Sequence, residues 1–476
     1  MKILKRLEDS KQFWFVIFTT FLFFILRLPS LFEPLWYGDE GIYQVIGTSL
    51  NHGKLLYKEI FDNKPPLLYW LYSFFHSDQF FIRLASLIFG AFSVILFYFL
   101  SKKLFKSNKI SYLTTFLFAL LFGLPILEGN IANAENFMLL PIIVAALFIL
   151  NQKKFFITGL LLGIAFLFKI VAVFDLSAFT VFYFILNFNS LKKEIKSLLP
   201  ILAGFFLPLC LVSLFFLHNG TFMDFIRAVF ISNVSYVSYG NKVGSLPLLL
   251  FLKLILLGGF LLFALIKRKK FNRSTLFVLI WFAFSLFNAF FSQRPYTHYL
   301  LILLPSLCLT AGLILFEKKY REAIVIVFLI SLLIVTKEFG ILRFKQSISY
   351  YQNFISYLAG KETTTSYQNF FDRNTSYDYE IARFIKPKLG KNDTVFVWGN
   401  NAQLYQLVGV VAPTKYVAAY HITNYADGAI TTQTALEKNK PKFIVIMPSN
   451  DLIPFDLINY SLKIEINNAT IYERIF

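Results

Sequence analysis

A chain of 476 residues that is 57% hydrophobic, 19% aromatic and only 15% charged, with 60 Phe and 25 Tyr, is too apolar for a soluble domain and reads as a polytopic membrane protein. Its formal charge of +19 does not point to nucleic acid, because the basic residues gather in short clusters between apolar spans and no basic-aromatic motif accompanies them. The two cysteines, Cys210 and Cys308, each lie inside an apolar span and form neither a disulfide framework nor a metal-binding pattern.

The basic N-terminus is followed by an apolar stretch of about 18 residues without a small-residue cleavage site, so it reads as a retained first helix and not as a signal peptide. Directly after it comes a polar island, Gly38-Asp39-Glu40. From Glu40 a short amphipathic helix is predicted to about Asn51, with Ile42, Tyr43, Ile46 and Leu50 on one side and Asp39 as its N-cap. Next comes Phe61-Asp62-Asn63-Lys64-Pro65-Pro66-Leu67-Leu68-Tyr69-Trp70-Leu71, in which the two prolines suit a helix start because their missing donors cost least there.

Eleven spans of membrane-crossing length are predicted, near 12–29, 80–101, 110–126, 136–151, 154–170, 171–189, 197–217, 247–266, 274–292, 297–316 and 321–338. Length favours two short helices over one re-entrant unit for 154–189. Six basic clusters test the count: Lys2, Lys5, Arg6 and Lys11; Lys102, Lys103, Lys106 and Lys109; Lys153 and Lys154; Lys192, Lys193 and Lys196; 267–270 with Arg273; and Lys318, Lys319 and Arg321. With eleven spans all six fall on one side, which the positive-inside rule makes cytoplasmic; a count of ten would split them. The N-terminus is then inside and the C-terminus outside. Asp39, Glu40, Lys64 and the loops at 128–135, 218–246 and 293–298 share the outer face.

Past residue 338 the composition changes. Residues 345–380, rich in Ser, Thr, Tyr, Asn and Gln, read as a linker with some helix. Strand-like runs follow at 394–398 and 442–447, with helical patterns at 380–386 and 431–438. The expected organisation is a transmembrane domain over 1–340 with a first extracytoplasmic loop at 30–79, a linker at 341–378 and a small extracytoplasmic α/β domain at 379–476. No internal repeat is visible.

Two acids and a lysine beside a membrane span must sit where water or a polar ligand reaches them. By residue type, Asp39 and Glu40 are either helix-start acids or carboxylates that bind and deprotonate an acceptor hydroxyl or amine. Lys64, ahead of a positive helix end, suits an anionic ligand such as phosphate, or snorkels to headgroups. Glu135, in Asn133-Ala134-Glu135-Asn136, is a helix-start acid. Arg294, Tyr296 and His298 head a later helix, where the guanidinium can hold phosphate through two bonds. Lys169 either pairs with Asp175 or faces a donor cavity, and Arg83 is a further candidate for lipid-phosphate contact.

Taken together, the first helix, the Asp-Glu pair, the Lys-Pro-Pro-aromatic helix and the many-helix body resemble the membrane glycosyltransferases of the GT-C superfamily. The resemblance is to the bacterial glycosyltransferase family 39 group, related to protein O-mannosyltransferases and the aminoarabinose transferase of lipid A. Order and spacing match over residues 1–105, and more weakly to about 316. The resemblance implies an all-α GT-C body of about eleven transmembrane helices with the small α/β domain attached. It makes Asp39 the catalytic acidic residue with Glu40 beside it, and Lys64 the ligand of the donor phosphate, helped by Arg294 and Arg83. Glu135 matches the acidic position at the start of the fourth helix, where aminoarabinose transferases carry Asp. Tyr296, His298, Tyr43 and Lys169 complete the substrate-binding candidates.

The implied reaction takes a sugar from a polyprenyl phosphate. The leaving phosphate is already anionic and needs charge stabilisation more than a proton. Asp39 would serve as base toward the acceptor in a single inverting displacement. A divalent cation among Asp39, Glu40 and Glu135 is compatible with these oxygens but not implied. Partners would be the lipid-linked donor, a lipid, glycan or protein acceptor, and membrane lipids, but no nucleic acid. The site would face the extracytoplasmic side of the inner (plasma) membrane. The competing class is a transporter or flippase of lipid-linked glycans, which usually shows repeats with matched broken helices. An assembly protein with an outer sensor domain leaves the Asp-Glu and Lys-Pro-Pro pair unexplained.

Overall fold

Apolar periodicity is realised as helix in the described spans before residue 340 of the computed structural model, which describes residues 11–188, 191–234, 237, 248–341, 344–448 and 453–475. Lys2, Lys5, Arg6, the side chains of Lys192 and Lys193, and part of the predicted 218–246 loop lie outside the described residues. Each predicted span is occupied by a helix: Lys11–Arg27, Gln79–Phe105, Asn108–Gly123, Ala134–Leu150, Phe155–Phe168, Val173–Leu186, Leu191–His218, Leu248–Lys267, Arg273–Ala289, Leu300–Phe316 and Arg321–Phe339. Within the predicted stretch 154–189 the described residues form two helices, Phe155–Phe168 and Val173–Leu186. They part at Lys169, whose extended backbone (φ −156°, ψ 130°) ends the first, and a short 3₁₀ turn at Ile170–Ala172 leads into the second.

Among the described residues, five helical stretches are long and apolar enough to cross a membrane: Lys11–Phe32, Gln79–Phe105, Leu198–His218, Leu248–Lys270 and Thr297–Phe316. The protein is a multi-pass membrane protein. Ala134–Leu150, Phe155–Phe168, Ile170–Leu186 and Arg273–Ala289 are apolar but shorter. A 14-residue helix such as Phe155–Phe168 reaches only about 21 Å, less than a bilayer core. It is held by close backbone packing instead. Gly159 and Gly163 lie against the carbonyls of Ile201 and Phe205, and Gly204 against that of Phe156, so small residues let the two helices approach. Elsewhere Phe179, Phe182, Phe277 and Trp281 interlock edge to face and face to face. The Leu248–Lys267 helix turns Phe251, Ile255 and Leu256 outward, Ile255 being 69% exposed, as a lipid-facing surface requires.

The chain divides into two units. The first holds residues 1–29, 84–215 and 231–348; the second holds 30–83, 216–230 and 349–476. The second therefore joins the predicted first loop to the C-terminal segment. Its sheet runs β1 (Val395–Trp398), β2 (Phe443–Ile446), β4 (Ala469–Arg474), β3 (Tyr460–Ile466). β1 and β2 are parallel, Val395 opposite Phe443; the other pairs are antiparallel. β1 and β2 fall on the two predicted strand-like runs. The β3–β4 hairpin goes beyond them, on a stretch from Tyr460 to Ile466 that alternates apolar and polar residues. Its turn is Asn467-Asn468, both at positive φ (50° and 65°), as a type I′ hairpin turn requires.

In the second unit the Gly38–Asn51 helix begins two residues before the expected start at Glu40. Tyr37 is its N-cap, so Asp39 stands inside the first turn and not at the cap. This helix packs closely on the Gln403–Val408 helix. A Cβ at Gly41 would come within 2.5 Å of the Gln403 backbone nitrogen. Gly41→Ala is therefore expected to cost about 1–3 kcal/mol by overpacking, read as a lowered unfolding midpoint of the detergent-solubilised protein. An unchanged midpoint would show that the two helices can part freely.

Candidate active site

The first polar group is built around Arg83, near the start of the Gln79–Phe105 helix. Its Nε and Nη2 donate to the two oxygens of Glu40 at 3.0 and 2.5 Å, and its Nη1 donates to the Ser30 carbonyl at 2.7 Å and pairs with Glu33 at 2.9 Å. Tyr350 and Trp36 donate to the oxygens of Glu33 at 2.6 and 2.8 Å. Arg83 is 0% exposed. A buried ion is tolerated only when its partners are complete, and these are. Glu40, expected among the catalytic acids, and Arg83, expected among the phosphate ligands, both turn inward onto each other.

The neighbouring acid faces the other way. Asp39 is 36% exposed at its side chain, and its carboxylate lies 3.8 Å from the Lys64 ammonium. Tyr43, one helical turn on, donates to Asp39 at 3.2 Å, and the lysine sits 4.8 Å above the Tyr43 ring. Lys64 precedes the Pro66–Phe74 helix, with Pro65 as N-cap, as the prolines predict. Its backbone is fixed by hydroxyls: Tyr57 donates to its carbonyl at 2.7 Å, and its N–H donates to the Tyr69 oxygen at 3.2 Å. Tyr69 in turn donates to Asp62 at 2.7 Å, and the Lys64 ammonium lies 3.4 Å from the same Asp62 oxygen.

Asp62 is buried, which by itself would raise its pKa. The Lys64 ammonium, His421 and the Tyr69 hydroxyl outweigh that and hold the carboxyl well below the usual range. Asp62, Glu33 and His421 are absent from the sequence candidates. Asp62 stands two residues before Lys64 in the Lys-Pro-Pro motif, so adjacency could have found it; His421 carries no local signal at all.

The second polar group lies in the first unit. Glu135, in the first turn of the Ala134–Leu150 helix, pairs with Lys169. His298 Nε2 lies 3.9 Å from Glu135, while its Nδ1 is 2.9 Å from Glu128, which also accepts from Thr297. The Lys169 ammonium sits 4.1 Å over the Tyr299 ring. Lys169 thus takes Glu135 as its partner, and Asp175 instead accepts from Trp281 Nε1 at 2.8 Å. Tyr296 is exposed and stacks on His298 with ring centres 5.7 Å apart; Arg294, half-buried, is on the same loop. Asn133, the N-cap before Glu135, is buried with neither amide atom hydrogen-bonded among the described residues. A buried, unsatisfied amide is a natural partner for a ligand hydroxyl.

Among the described residues no three or more His, Cys, Asp or Glu are grouped to hold a metal ion. Of the oxygens considered for a cation, both of Glu40's are occupied by Arg83.

Residues 63–216, about a third of the chain, match the family model of dolichyl-phosphate-mannose-protein mannosyltransferase. A crystal structure of ArnT from Cupriavidus metallidurans bound to undecaprenyl phosphate superposes with a TM-score of 0.56 at 14% identity, covering 97% of this chain and 98% of that one. The chain has the GT-C glycosyltransferase fold. No curated protein sequence matches it. Within the GT-C fold the family-matched segment begins at Asn63, beside Lys64, and includes Arg83, Glu135 and Lys169; Asp39, His298 and His421 lie outside it.

Proposed function

We propose that this protein transfers a sugar from a polyprenyl-phosphate donor to an acceptor on the extracytoplasmic face of the membrane, with inversion. The observation that carries the reading is the Asp39–Lys64 pair: a partly exposed carboxylate 3.8 Å from an ammonium whose backbone is clamped. The family match over 63–216 and the undecaprenyl phosphate in the ArnT structure support the donor class. The acceptor oxygen or nitrogen attacks the anomeric carbon and its proton passes to Asp39. The bond from that carbon to the phosphate oxygen breaks, and the phosphate keeps the electron pair. Lys64 stabilises that phosphate, Tyr43 orients Asp39, and Arg83 with Glu40 holds the helix that presents it. The Glu135–Lys169–His298 group, with Asn133 and Tyr296, offers donors and acceptors to hydroxyls.

Lys64→Ala is expected to weaken undecaprenyl phosphate binding by the full-length protein in nanodiscs roughly 10- to 100-fold, the worth of one charge-assisted contact. Equal binding by the variant would remove Lys64 from the donor site.

A further inference from the structure

We propose that His421, from the C-terminal segment, is a positioning residue for the donor phosphate, acting through Asp62 on Lys64. The inference rests on the reading of Lys64 above. His421 is 2% exposed, and its Nε2 lies 3.5 Å from Asp62 Oδ1. The other Asp62 oxygen faces the Lys64 ammonium and the Tyr69 hydroxyl. Asp62 Oδ1 also accepts the Asn63 N–H at 2.7 Å. The carboxylate is therefore held from one side by the C-terminal segment and acts from the other on the lysine.

Asp62 is both an anchor for Lys64 and a competitor for its charge. A donor on Oδ1 draws negative charge away from the oxygen that faces the lysine and fixes the plane of the carboxylate. That leaves the ammonium available to a phosphate. Without His421 only the Asn63 N–H remains on Oδ1, so the buried carboxylate holds Lys64 more strongly, and an incoming phosphate must displace it.

The segment is aimed at this point by an aromatic cluster. Phe61, next to Asp62, packs against the rings of Tyr416, His421 and Tyr425 at 5.1, 5.6 and 4.8 Å, and its N–H donates to the Lys415 carbonyl at 3.0 Å. His421 has a ring that packs and a nitrogen that faces Asp62, so two variants separate these roles. His421→Phe keeps the ring and loses the nitrogen; His421→Gln loses the ring and keeps an N–H near the Nε2 position.

The test is undecaprenyl phosphate binding to the full-length protein in nanodiscs, with Lys64→Ala alongside. His421→Phe is expected to weaken binding roughly 10-fold through loss of the 3.5 Å contact to Asp62, with His421→Gln recovering most of it. Tight binding by His421→Phe with weak binding by His421→Gln would show packing alone and overturn the inference. So would parental binding by both variants while Lys64→Ala binds weakly. If Lys64→Ala itself binds as the parent does, the donor-phosphate reading falls first.

Discussion

Asp39→Asn is expected to lower sugar transfer about 10²- to 10⁴-fold, the usual contribution of a positioned general base. Undecaprenyl phosphate should bind at least as well to this variant, because Lys64 loses a competing carboxylate 3.8 Å away. Asparagine keeps the shape and accepts the Tyr43 hydroxyl, so the fold is not at stake. Turnover of membranes carrying the variant, assayed with a labelled polyprenyl-phosphate sugar, checks the first claim, and equilibrium binding checks the second. Full turnover would dismiss Asp39 as the base. A lost turnover with lost binding would instead assign it to holding the donor.

Arg83→Ala is expected to destabilise the protein by about 3–5 kcal/mol, the cost of breaking a buried ion pair from one side. Two buried carboxylates, Glu33 and Glu40, would lose their common cation. Arg83→Lys should recover little, since an ammonium cannot reproduce the two-bond contact to Glu40 while also reaching Ser30 and Glu33. Thermal unfolding in detergent reads both variants. A midpoint near that of the unchanged protein for Arg83→Ala would mean that water reaches the two acids. The two adjacent acids are thus expected to differ in what they control, Asp39 showing in turnover and the partner of Glu40 in stability.

Much of the helical body is legible in the sequence. Each apolar span holds a helix, and even the division of 154–189 follows from length, because two short helices fit where one long one does not. The prolines beside Lys64 mark a helix start correctly, since ring geometry and the missing N–H act locally. The hairpin at 460–474 has local signals too, in its alternation and its Asn-Asn turn, although the expected strands stop at 442–447.

Other features are not local. Asp39 and Glu40 are adjacent and chemically alike, yet one is partly exposed beside a lysine and the other is buried on an arginine 43 positions away. Successive residues on a helix point about 100° apart, so neighbours in sequence face different surroundings. Which surroundings they meet depends on what packs there.

By itself, then, the sequence determined the membrane class, the helices and the two motifs, because hydrophobicity, proline geometry and charge clustering are properties of short stretches. Only the tertiary structure decided that Glu40 and Arg83 neutralise each other, that Lys169 takes Glu135, and that His421 reaches Asp62. Those are ion contacts across tens to hundreds of residues, and a buried charge settles on whichever partner the packing brings within reach.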